Sequence, residues 1–128
     1  MTPFGTKIRD WRQRKGRTLY QQAEALGVSS AYLSALETGT RGRPSAVLVD
    51  QICVWLGLIW DDAEELKRLA ALSHPKPTLN ARGHSAEAVY MANFLAQNID
   101  RLSAADCQIV IDVIATCLHQ GDDEDAQH

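Results

Sequence analysis

Apolar residues recur at three- and four-residue steps in seven stretches of this chain, and capping residues stand at the breaks between them. Thr2-Pro3 reads as a helix start: a cap, then a residue lacking the amide that a first helical position cannot use. Phe4, Ile8 and Trp11 follow along one side to about Arg14, and Gly16 ends the helix. Thr18 and Gln21 form a T-x-x-Q capping box that opens a second helix, stopped after Leu26 by Gly27. Ser29 caps a third, short helix through Glu37, ended by Gly39, with Tyr32, Leu33 and Leu36 on one side. After the basic turn Thr40 to Pro44, Ser45 caps a fourth helix whose Leu48, Val49, Ile52, Cys53 and Leu56 form an inward stripe, and Gly57 terminates it. Asp61 and Glu64 open a fifth helix to about Leu72, acids first and Lys67 and Arg68 later, the order favoured by the helix dipole.

Residues 73–84 carry two prolines and a glycine without periodicity and read as a linker. Beyond it Ser85 caps a helix with Ala88, Ala92, Leu95, Ile99 and Leu102. Ser103 and Asp106 cap another with Ile109, Val110, Val113, Ile114, Cys117 and Leu118. Two such helices form a hairpin whose apolar faces are too wide to bury against each other, so they must meet the first domain or a second chain. The expected fold is all-α: a five-helix domain over 1–72, a linker over 73–84, a helical hairpin over 85–119 as dimerisation element, and a frayed acidic tail over 120–128. Val54, Trp55 and Leu58 to Trp60 offer a further docking surface, and Trp11, Trp55 and Trp60 are assigned to packing.

The 128 residues are 45% apolar, with a net charge of −3 that speaks against nucleic acid until it is divided. Residues 1–45 carry eight basic groups against three acids, and residues 46–128 carry five against thirteen. Positive potential is thus concentrated at one end, as phosphate binding requires. No stretch is long and apolar enough for a membrane span or a signal peptide, so the expected compartment is the cytoplasm. Cys53, Cys107 and Cys117 lie inside helical patterns and read as reduced core thiols. His74, His84, His119 and His128 stand at no metal-ligand spacing, and the paired acids near Asp61 read as helix-start charges. No metal, no cofactor and no enzymatic activity are expected.

The functional signal is helix, tight turn, helix from Thr18 to Gly39. Ala23 must be small where the second helix crosses the third, Gly27 permits a left-handed turn, and Val28, Leu33 and Leu36 pin the third helix to the core. The third helix then presents Ser30, Ala31, Ser34 and Ala35 to a DNA major groove, N-terminal end first. On the Ala23…Leu26-Gly27-Val28-Ser29 turn, the Tyr32-Leu33-Ser34…Leu36-Glu37…Gly39 segment and the apolar helix after Pro44-Ser45, residues 4–72 resemble the lambda-repressor-like (XRE or Cro-type) helix-turn-helix regulators. That resemblance implies a five-helix DNA-binding domain, a homodimer on a near-palindromic operator, and usually repression. Two positions depart from it: Leu19 stands where many members carry a phosphate-clamping glutamine, and Gln22 stands where an apolar core residue is usual.

Candidate DNA-binding residues are Thr18, Ser29, Ser30, Ala31, Tyr32, Ser34, Ala35, Thr38, Arg41 and Arg43. Serines bond to several base edges and alanines pack only on thymine methyls, so base readout is modest and Arg41 and Arg43 are assigned to phosphate. Weaker phosphate candidates are Lys7, Arg9, Arg12, Arg14, Lys15 and Arg17. The expectation is a homodimeric, sequence-specific repressor of double-stranded DNA. The alternative is an antitoxin or adaptor-type protein that binds a partner protein through residues 85–119.

Overall fold

The breaks in the apolar pattern lie at or near helix ends in the structure, a computed structural model that describes residues 1–126; the helix after Ser85 stops at Asn98, so Ile99 falls in a 3-10 turn and Leu102 beyond it. The helices are α1 (Pro3–Lys15), α2 (Leu19–Leu26), α3 (Ser30–Thr38), α4 (Ala46–Leu56), α5 (Trp60–Ala71), α6 (Ala86–Asn98) and α7 (Ala104–Ala126), with a single 3-10 turn at Ile99–Arg101 between the last two. Among the described residues there is no strand, and no helix is long and apolar enough to cross a membrane. The chain divides into two units, Met1–Thr78 and the residues from Leu79 onward.

Side-chain caps open four of the first five helices, with Thr2, Thr18, Ser29 and Ser45 each accepting a backbone amide of the first turn. The fifth departs from expectation. Asp61 lies in the first turn of α5 instead of capping it; Ile59 occupies the cap position without a side-chain hydrogen bond. Trp60 then enters the helix at φ 54°, a left-handed conformation that strains any residue but glycine, and is 82% exposed. It is therefore not a core anchor. Trp11 and Trp55 are half-buried against the core.

That core joins Phe4 and Ile8 of α1, Leu36 of α3, Leu48, Val49, Ile52, Cys53 and Leu56 of α4, Leu58, and Leu66 and Ala70 of α5. Each fully buried large side chain contributes about 1.5–3 kcal/mol relative to exposure. Helix α1 packs on α3, α4 and α5, while α2 packs on α3 and α4, so α3 is held from two sides. Desolvation pushes the Cys53 thiol pKa up. Cys107 is half-buried and Cys117 exposed, so only Cys53 is a core thiol.

The second unit obeys the same end rules. Ser85 Oγ accepts from Ala88 N at 3.1 Å, and Ser103 and Asp106 form a reciprocal box at 3.1 and 3.0 Å. Burial does not follow. No residue of α6 is buried, and Ala88, Ala92, Leu95, Leu102 and Cys107 are only half-buried. Tyr90 stacks on Phe94 with ring centroids 5.5 Å apart, both still exposed. Ile109, Val113, Ile114 and Leu118 are exposed on α7. That helix also runs past His119 through Gly121 to Ala126, because no proline follows and Gly121 does not turn left-handed; the expected frayed tail is helical to Ala126, and residues 127 and 128 lie outside the described residues.

Candidate nucleic-acid interface

The helix-turn-helix is built from three caps in succession. Thr18 Oγ1 accepts from Gln21 N at 3.1 Å, and Gln21 Oε1 accepts from Thr18 N at 2.9 Å. At φ 71° Gly27 turns the chain out of α2, and the Val28 amide bonds back to the Ala23 carbonyl at 3.1 Å. Ser29 Oγ accepts from Tyr32 N at 3.0 Å and starts α3. Thr18 and Ser29 therefore both use their hydroxyls for capping, and both are exposed.

Two faces of α3 have opposite characters. Leu33, Leu36 and Glu37 are buried. Ala31 and Thr38 are exposed, while Ser30, Ser34 and Ala35 are half-buried; steps of one and four place these five on one side of the helix. Thr38 Oγ1 donates to the Ser34 carbonyl at 3.0 Å, so its hydroxyl is tied to the helix it stands on. Tyr32, expected inward beside Leu33 and Leu36, is 37% exposed while that pair is buried. Arg41 and Arg43 are exposed on either side of Gly42 in the turn before buried Pro44, with no carboxylate at ion-pair distance among the described residues.

The basic residues of α1 are more occupied than expected. Arg12 is buried: one guanidinium nitrogen donates to Glu37 Oε1 at 2.6 Å and to Gln22 Oε1 at 2.7 Å. It is a structural cation and not a phosphate contact, and it supplies the partner that buried Gln22 requires. Lys7 pairs with Glu65 at 3.6 Å and Arg14 with Asp10 at 2.9 Å. Arg14 and Lys15 lie over the Trp11 ring, and Arg17 lies 4.8 Å from the centre of the Trp55 ring while donating to the Trp55 carbonyl.

The Arg12–Gln22–Glu37 network is not visible in any one helix alone, although the three sequences together carry a signal. Phe4, Ile8 and Arg12 continue one stripe in steps of four, and Gln22 and Glu37 interrupt the inward faces of α2 and α3. Three polar groups on three inward faces require one another.

Residues 3–71 match the family model described as a helix-turn-helix domain. The uncharacterized HTH-type transcriptional regulator RghRB of Bacillus subtilis is 32% identical over 62 residues, 48% of this chain and 45% of that protein. The transcriptional regulator ClgR of Mycobacterium tuberculosis is 34% identical over 89 residues, 66% of this chain and 79% of that one. The chain thus spans less than half of the first relative and about four fifths of the second. No solved structure matches the chain. With a matched segment covering α1 to α5 and the capped turn between α2 and α3 in place, the chain belongs to the helix-turn-helix family of DNA-binding transcriptional regulators.

Proposed function

We propose that this protein is a homodimeric, cytoplasmic repressor that reads a specific duplex sequence with the outward face of α3. The observation that carries this reading is the division of α3: one side is locked by Leu33, Leu36 and the Arg12–Glu37 pair, the other is open from Ser30 and Ala31 to Thr38, and exposed Arg41 and Arg43 follow at once. In the major groove, Ser30 and Ser34 would bond to base edges and Ala31 and Ala35 would pack on thymine methyls. Thr18, Ser29, Tyr32 and Thr38 would flank these contacts, and Arg41 and Arg43 would neutralise phosphates. The exposed apolar residues of α6 and α7 would pair two copies and set two α3 helices about one DNA turn, roughly 34 Å, apart.

The test is a shift assay with the DNA upstream of the protein's own gene over a salt series. Replacing Arg41 and Arg43 by alanine is expected to weaken binding on all sequences and flatten the salt slope by about one unit per lost phosphate contact. An unchanged slope would remove both arginines from the interface.

A second reading makes α6 and α7 the seat of a different protein, as in an antitoxin or adaptor. It is favoured by the same exposed side chains, including Tyr90, Met91, Phe94, Ile109, Ile114 and Leu118. A stoichiometric second protein co-purifying with the chain would select it; a homodimer of the isolated chain would select the first.

A further inference from the structure

The C-terminal turn of α3 is gripped by the first turn of α1. Thr2 uses one hydroxyl for two helix ends: Oγ1 accepts from Gly5 N at 3.0 Å, capping α1, and donates to the Glu37 carbonyl at 3.1 Å, in the last turn of α3. The Thr2 amide donates to that same carbonyl at 2.9 Å. A carbonyl in the last turn of a helix has no intrahelical partner, so Thr2 supplies two donors where the helix supplies none. Beside it, α1 and α3 approach so closely that a Cβ on Gly5 would lie 2.2 Å from the Glu37 carbonyl oxygen, an overlap with backbone that only glycine avoids. The segment after α5 closes the arrangement, since Ser73 Oγ accepts from Phe4 N at 3.0 Å and is itself bound to the Leu69 carbonyl.

From this geometry, and resting on the proposed reading of DNA by α3, we infer that Thr2 is a positioning residue for base recognition: its hydroxyl, with Gly5 as spacer, sets the placement of α3 in the groove. The outward side chains make that placement matter. A long arginine or glutamine bends to follow a displaced helix, whereas Ser30, Ala31, Ser34 and Ala35 reach bases only if the α3 backbone is correctly seated. Arg12 and Thr2 grip the same residue of α3, one by the Glu37 side chain and one by its carbonyl, so rotation and axial shift are both restrained. Thr2 touches no DNA in this account.

The experiment selects duplexes from a random-sequence pool with the unsubstituted full-length protein. Affinities for the selected duplex and for an unselected duplex of equal length are then measured for Thr2→Val and Thr2→Ser, at a temperature where melting curves show both folded. Valine keeps the methyl near Gly39 and removes the hydroxyl; serine keeps the hydroxyl. Thr2→Val is expected to lose about tenfold on the selected duplex, the scale of one good base contact, with affinity for the unselected duplex and the salt slope unchanged. Thr2→Ser is expected to match the original. Equal losses on both duplexes, no loss, or a serine variant as weak as the valine one would overturn the inference. If the unsubstituted protein enriches no sequence, the DNA reading fails first and the inference falls with it.

Discussion

The two units use one vocabulary of helix ends and differ in what their helices meet. In the first, Ser45 Oγ receives the Leu48 amide at 3.2 Å and the capped helix delivers five residues to the core. In the second, Ser85 Oγ receives the Ala88 amide at 3.1 Å and the capped helix buries none. Local capping specifies a helix in either place, but only a surrounding of facing helices turns an apolar stripe into a core. The second unit therefore presents, on a single chain, the kind of surface that the first keeps inside. Its exposed isoleucines, valines, leucine and aromatics suit an interface better than a solvated arm.

The largest effect expected from disturbing this contrast lies in the first unit. Glu37→Ala would leave the Arg12 guanidinium buried without its carboxylate, and urea unfolding is expected to show a loss of about 3–5 kcal/mol. A loss below about 1 kcal/mol, the scale of an exposed pair, would mean that water reaches this network in solution. If the exposed apolar side chains of α6 and α7 pair two copies as proposed, Ile114→Asp in the second unit is expected to turn that dimer into a monomer in light scattering and to leave the stability of the first unit unchanged, since a charge on an apolar contact is costly to desolvate. A dimer that survives this change would place the contact elsewhere.

Smaller effects separate equivalent caps. Ser45→Ala is expected to cost about 1 kcal/mol in the unfolding of the first unit, whereas Ser85→Ala lowers helix content by circular dichroism without moving that transition. The smallest concerns pH. Hydrogen bonding from Ser103 lowers the Asp106 pKa, so the carboxylate stabilises the start of α7 above the ordinary carboxylate range and that stabilisation disappears as pH falls through the lowered value. The helicity of α7 should decline on acidification through that window, and Asp106→Asn should blunt the decline.

Much of this was readable in the sequence because its rules are local. Thr2, Thr18, Ser29, Ser45, Ser85 and Ser103 were identified as caps and are caps, and the stripe from Leu48 to Leu56 is buried as its spacing implied. The start of α5 is shifted from the sequence reading because Asp61 and Glu64 have the spacing of a capping box even though Ile59 holds the cap position. Helical spacing assigns Trp60 to packing, but spacing says nothing about a left-handed backbone. The network that fixes α3 stayed hidden for a different reason: Arg12, Gln22 and Glu37 are polar interruptions on separate helices, and Thr2 meets Glu37 across 35 positions of sequence. Such contacts belong to the tertiary arrangement, not to any one helix.

The proposed role of the open side of α3, led by Ser30 and Ala31, is to read base edges. It is tested most directly by comparing the duplex sequences that the original protein and a Ser30→Gln variant select from one random pool. Two symmetrical half-sites about one turn apart are expected, with the preference changed by the variant at the same position in each half. Identical consensus sequences from the two proteins would contradict it.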